Sequence, residues 1–268
     1  RVREATVIVR EDEPGQKRLG GYVVGMKEGT IEGRPRRGLP NGMAIVEQNR
    51  NETEYLYEEI FNQKAYFKYG IKLPENGCVF DVGANIGLFT LFVRQNRKGA
   101  RVYAFEPIKP IYETLRINSQ LYGGDGVKLY QIGLGSEMRK EWYTYYRGYS
   151  MMSGESRYAT AADDIEVIKR YLRNESESEA PEEFLKEADE ILRLKFAEER
   201  YECEVRKLTD IIREEKIEKI DLLKVDVQRA ELDVLRGVEE EDWEKIEQIV
   251  MEVHDQKGGE SEGRLEEI

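Results

Sequence analysis

The chain has 268 residues, of which 40% are hydrophobic and 36% charged, with a formal net charge of -12. That supports a folded domain with a sizeable core, and it argues against non-specific nucleic-acid binding or docking on an acidic membrane. Only two cysteines, Cys78 and Cys203, exclude a disulfide framework and a Cys-rich zinc site and point to a reducing, cytoplasmic compartment.

The opening Arg1-Val2-Arg3-Glu4-Ala5 has neither an initiator Met nor an apolar leader core, so the chain is expected to be excised from something longer. Residues 5–9 and 22–24 read as strands on either side of a turn at Asp12-Glu13-Pro14-Gly15. Glycines at 20, 21, 25, 29, 33, 38 and 42, with Pro35 and Pro40, argue for a loop or linker. A helix then opens, with Asn51 as the expected N-cap and Glu54 reaching back to it. Its apolar residues run into an aromatic stretch, and Tyr55, Tyr66 and Tyr69 are expected in the core or its cover.

From Cys78 the period changes. Short apolar strands at 79–82, 101–106 and 127–132 alternate with helices carrying Ile86, Phe89, Leu91 and Val93, then Ile111, Leu115 and Leu121. Such alternation means βαβ units and a parallel sheet. An acid-rich stretch at 161–204 keeps one apolar face and reads as a charged helical insert. The βαβ pattern resumes with a strand at 219–227, a helix at 230–238 and a strand at 247–253. No apolar stretch approaches the ~18 residues of a membrane-spanning helix. Gly258 to Gly263 is linker-like.

The strongest constellation is Asp81-Val82-Gly83-Ala84-Asn85-Ile86-Gly87, between a strand and a helix. Glycines there permit a tight turn and a close approach to a ligand. Glu106 ends the next strand, where a carboxylate accepts hydrogen bonds from the ribose hydroxyls of an adenosine. Leu88 stands where a dinucleotide fingerprint needs its last glycine. An acid ahead of the first glycine suits S-adenosylmethionine, with its positive amine and sulfonium; a nicotinamide dinucleotide and a plain structural turn are the alternatives.

Asp81 to Thr90, Ala104-Phe105-Glu106-Pro107, Ile220 to Val227, Ala230 to Gly237 and Glu252-Val253-His254 occur in that order. Together they resemble the FkbM-type methyltransferase family. The resemblance implies an α/β fold: a Rossmann-like class I methyltransferase with a mostly parallel sheet, the helical insert and a small N-terminal β piece. It implies S-adenosylmethionine as cofactor, held by Asp81, Gly83, Asn85, Gly87 and Glu106, with the backbone of Gly133, Leu134 and Gly135 at the adenine edge. The segments 39–61 and 148–154 look like the versions embedded in nonribosomal peptide and polyketide synthetases. Residues 2–24 resemble part of the C-terminal subdomain of an adenylation domain. The expected division is therefore 1–38, an adenylation-like β piece with its linker, and 39–268, the methyltransferase domain. Two departures stand out. Gln228-Arg229 replaces the Glu-Gly usual before Ala230, and an antiparallel strand pair usual after the fifth strand is not found before Ile268.

The expected reaction moves a methyl group to a hydroxyl or enol oxygen of a carrier-tethered intermediate, with neighbouring synthetase domains as partners. N-methylation of a tethered amino acid and a non-catalytic scaffold module are the rivals. His254 is the expected base, with Asp226 orienting it or contacting the acceptor, because imidazole titrates near neutral pH. Lys224 and Glu252 are expected to neutralise one another deeper in the sheet. Tyr149, Ser150 and Ser153 are expected at the substrate mouth. Asp226, Glu252, His254 and Asp255 show no tight ligand spacing, so no metal is expected.

Overall fold

The computed structural model describes the backbone of residues 2–13 and 16–25, and residues 30–158 and 196–254 in full. The chain forms two compact units that divide at Val46/Glu47. In the first, β1 (Val2–Glu13) and β2 (Gln16–Gly25) form an antiparallel hairpin. The glycine-rich stretch expected as a linker is instead strand in part. β3 (Thr30–Ile31), β4 (Arg34–Gly38) and β5 (Ala44–Val46) make an antiparallel sheet. Glu32 and Gly33, at φ 49 and 76, form the two-residue turn from β3 to β4, a conformation that favours glycine. There a glycine marks a hairpin.

The second unit opens with α1 (Arg50–Tyr57). Its N-cap is Asn49 rather than Asn51: the extended Asn49 accepts from the backbone N–H groups of Asn51 and Glu52. Then follow β6 (Cys78–Val82), α2 (Leu88–Asn96), β7 (Arg101–Phe105), α3 (Lys109–Tyr122), β8 (Val127–Tyr130) and β9 (Gly133–Leu134). β10 (Arg139–Tyr146), β11 (Gly154–Glu155), β12 (Glu198–Arg206) and α4 (Leu208–Glu214) come next. The described part ends with β13 (Leu222–Val225), α5 (Glu231–Arg236), α6 (Glu240–Trp243) and β14 (Ile249–Met251).

Five parallel strands form the main sheet in the order β14-β13-β6-β7-β8. β6 and β13 are buried along their whole length, as befits central strands covered on both faces. Phe80, Phe105, Leu223 and Val225 centre one core, joined by Leu208, Ile211 and Ile212 from α4. A second, four-stranded sheet has the order β11-β10-β12-β9. The described end of the acid-rich insert is therefore strand: β12 pairs with β10 and buries Cys203 and Val205, a period-two pattern. Residues 159–195, where the helical reading of the insert rests, lie outside the described residues. Both cysteines are buried free thiols.

Candidate active site

The strand order reverses at β6, with β7 and β8 to one side and β13 and β14 to the other. Open α/β sheets bind ligands in the crevice beyond the carboxyl ends of the strands at such a point. A cavity of about 570 Å³ lies there, within the usual range for small-molecule sites.

The loop after β6 makes one wall. Gly83 has φ +75, and a Cβ on it would lie 1.8 Å from the backbone oxygen of Asp226. The loop thus passes the end of β13 at a distance only glycine permits. Asn85, also left-handed at φ 49, donates its N–H to Glu106 Oε2 at 3.1 Å. The other Glu106 oxygen accepts from Ile108 N at 3.0 Å. Each carboxylate oxygen has a further lone pair, so Glu106, which lines the cavity, can still accept two hydrogen bonds. A ribose diol needs such a pair of acceptors. Burial pushes the Glu106 pKa up to about 7, against the pull of its two backbone donors.

Not every expected cofactor residue reaches the surface of the cavity. Gly83, Asn85, Glu106, Gly133 and Leu134 line it. Asp81, Gly87 and Gly135 stand behind the lining. Asp81 is fully buried; it accepts from Thr90 Oγ1 at 2.6 Å and pairs with Lys224 Nζ at 3.2 Å. Lys224 also donates to the backbone oxygen of Gly83 at 2.8 Å and lies 3.7 Å from Asp226 Oδ2. The expected Lys224–Glu252 pair is thus corrected. Lys224 shares its strand face with Asp226 and meets Asp81 across the β6–β13 register, and these two acids hold it charged against the cost of burial.

The opposite wall is acidic. Asp226 accepts from the Tyr66 hydroxyl at 2.9 Å. Burial and the Asp226 charge raise the Tyr66 pKa far beyond the ordinary phenol value, so Tyr66 stays protonated. Burial, then Asp226, raises Glu59 and takes Glu252 to about 6. His254 faces the cavity with its Nδ1 2.8 Å from Glu231 Oε1 and its Nε2 3.7 Å from Glu252 Oε1. Its hydrogen-bond partner is therefore Glu231, which leaves Asp226 the other of its two expected roles, contact with the acceptor.

Tyr149, Ser150 and Ser153 also line the cavity, yet the two serine hydroxyls serve the fold. Ser150 Oγ donates to the buried Glu52 at 2.6 Å, and Ser153 Oγ accepts from Tyr146 N at 3.0 Å. The Tyr149 ring stacks on Phe196 at 5.2 Å. Of the expected core tyrosines, Tyr66 is buried, whereas Tyr55 is half exposed at the cavity and Tyr69 fully exposed. Gln228 and Arg229, the departures from the family pattern, line the cavity at φ 48 and 76. Glycine suits such angles, yet both positions carry a side chain here. Sequence reasoning passed over Glu59 and Glu231, and took Tyr66 only as a packing residue. Among the described residues no group of three or more His, Cys, Asp or Glu side chains is arranged to hold a metal ion; Asp255 lies outside them.

Residues 81–268 match the Methyltransferase FkbM domain. The chain is 42% identical over its whole length to the AMB antimetabolite synthetase AmbE of Pseudomonas aeruginosa, and spans 13% of that protein. It is 36% identical to the 31-O-demethyl-FK506 methyltransferase FkbM of Streptomyces tacrolimicus, over 82% of each chain. With Methyltransferase 1 of Beauveria bassiana it shares 32% identity over 77% of this chain and 76% of that one.

Proposed function

The chain belongs to the FkbM methyltransferase family, and from that premise we propose that it methylates an oxygen of a carrier-tethered intermediate. It is a methyltransferase whose methyl donor is S-adenosylmethionine. That cofactor supplies a methyl group already activated on a sulfonium, so the protein's task is to align the acceptor and take its proton. The observation that carries the reading is that Glu106, Asp226 and His254 face one cavity. Glu106 accepts from the ribose hydroxyls, and the backbone around Gly83 and Asn85 takes the methionine part. The backbone of Gly133 and Leu134 serves the adenine edge. Asp81 and Gly87 hold the loop from behind. His254 takes the acceptor's proton beside Asp226.

Two relatives support the finer parts. One relative is an O-demethyl-substrate methyltransferase and another is a synthetase of which this chain matches a part. We read the chain as a cytoplasmic segment of a synthetase, working beside its neighbouring domains. The test uses methyl-labelled S-adenosylmethionine with hydroxyl-bearing aminoacyl groups, either free or loaded on a carrier protein. Mass spectrometry is expected to find the label on oxygen and the tethered acceptor consumed much faster. Label on nitrogen, or equal rates for both forms, contradicts the assignment.

A pH dependence follows from Glu106. The ribose hydroxyls donate to its ionised form, so binding favours loss of the proton that burial retains up to about pH 7. Cofactor affinity should therefore rise as pH increases through about 7, level off above it, and release protons to buffer near the midpoint. Calorimetry in buffers of different ionisation heat measures both effects. A flat affinity from about pH 6 to 8 would exclude Glu106 as the titrating contact.

A further inference from the structure

We propose that Glu231 is the positioning residue for His254: its buried carboxylate keeps the proton on Nδ1 and leaves Nε2 toward the cavity as proton acceptor. The inference rests on the reading of His254 as the base. Glu231 is the first residue of α5 and is fully buried, with Oε1 2.8 Å from His254 Nδ1. An ionised carboxylate only accepts hydrogen bonds, so Nδ1 is the donor and the neutral ring has its lone pair on Nε2. The same Oε1 accepts from Arg229 N at 2.9 Å, which fixes the oxygen from a second direction. Nε2 is 3.7 Å from Glu252 Oε1, beyond hydrogen-bond distance, and is open to an acceptor hydroxyl.

The chain folds to make this contact. β14 lies parallel to β13, and each strand delivers its following segment to the same end of the sheet. Asp226 instead turns its Oδ2 to the Tyr66 hydroxyl and the Lys224 ammonium, while Glu231 takes the imidazole. The charges facing His254 are Glu231 from α5, Asp226 from the end of β13 and Glu252 from its own segment. Arg229 directs its Nη1 to the backbone oxygen of Tyr158 at 2.8 Å. Burial alone would lower the imidazole pKa; the Glu231 bond and the three acidic charges override it and raise it above 6.5. As an oxygen–methyl bond replaces the sulfur–methyl bond, the acceptor's proton passes to Nε2. Glu231 stabilises the resulting imidazolium until it returns the proton to solvent.

The chain has a single histidine, so nitrogen NMR of protein without a histidine tag reads this ring directly, without turnover. The wild type should show the Nδ1–H tautomer when neutral and titrate above 6.5. Glu231→Gln keeps the shape and an acceptor oxygen but removes the charge. It should lower that titration, shift the inflection of the kcat–pH profile downward with it, and cut kcat by up to roughly 10⁴-fold, with cofactor affinity unchanged. Glu231→Asp should restore part of both readouts, and it serves as the test if the glutamine variant does not fold. An Nε2–H tautomer in the wild type, or an unmoved titration in the variant, overturns the pair. Wild-type turnover in His254→Ala overturns the base itself, and with it the role given to Glu231, whatever the tautomer.

Discussion

Replacing His254 with alanine should lower turnover by roughly 10²–10⁴-fold, the range for removal of a general base. The affinity for S-adenosylmethionine should barely change. His254 follows β14, whereas Glu106 and the Gly83–Asn85 loop, proposed to hold the ribose and methionine, follow β7 and β6, on the other side of β13 in the sheet. In the wild type the rate should rise with pH through the raised imidazole pKa, because only the neutral ring accepts a proton. Single-turnover kinetics across about pH 6–9 would measure this. A variant that keeps the wild-type rate and profile would leave Asp226 as the proton acceptor.

The largest effect on stability is expected at Lys224. Its ammonium lies in a nearly dry position between Asp81 and Asp226, above the rings of Tyr66 and Phe89 at 5.5 and 5.9 Å. Lys224→Met would remove the only cation paired with Asp81 among the described residues while leaving the carboxylate buried. Breaking a buried pair in this way costs about 3–5 kcal/mol. Denaturant unfolding should report that loss, and combining it with Asp81→Asn should recover part of it. A loss below about 1 kcal/mol would mean that water reaches the pair and that it behaves as a surface contact.

The parts of this molecule legible in its sequence are those governed by local rules. Strands 79–82 and 101–106 announce themselves by apolar runs, and the turn at Gly83 by residue types that suit left-handed backbone and close approach. The structure adds the cause at Gly83: the backbone oxygen of Asp226 occupies the space of a side chain. Pairings made by tertiary packing were not legible. Lys224 is level with Val250 on the adjacent strand, so Glu252 falls two residues further along, and nothing in the string of residues says that Asp81 reaches the lysine first. Glu231 reads as an ordinary first-turn acid of a helix. It becomes a partner of His254 only because β14 returns beside β13. The seven-glycine stretch, strand in part, was illegible for a different reason. Glycines at hairpin turns and glycines in a linker look alike until strand pairing is known, and β3 has only two residues.

The N-cap of α1 shows how fine the ambiguity can be. Asn49 and Asn51 each have an acid three residues later, Glu52 and Glu54. Asn49 takes the cap, while Glu52 turns away to receive the Ser150 hydroxyl. That contact ties the start of α1 to the segment forming the mouth of the cavity, so two serines with the composition of a substrate surface serve as fasteners. Tyr66 was legible as a buried aromatic but not as the donor that engages Asp226, since its hydroxyl meets a residue 160 positions away.

Calorimetric titration of the whole chain with S-adenosylmethionine, beside Glu106→Ala, tests the cofactor role of the cavity directly. Hydrogen bonds to a charged group contribute about 1.5–3 kcal/mol each. The wild type should show saturable binding at one site, weakened at least about tenfold in the variant. No binding by the wild type, or equal affinity in both proteins, would contradict that role.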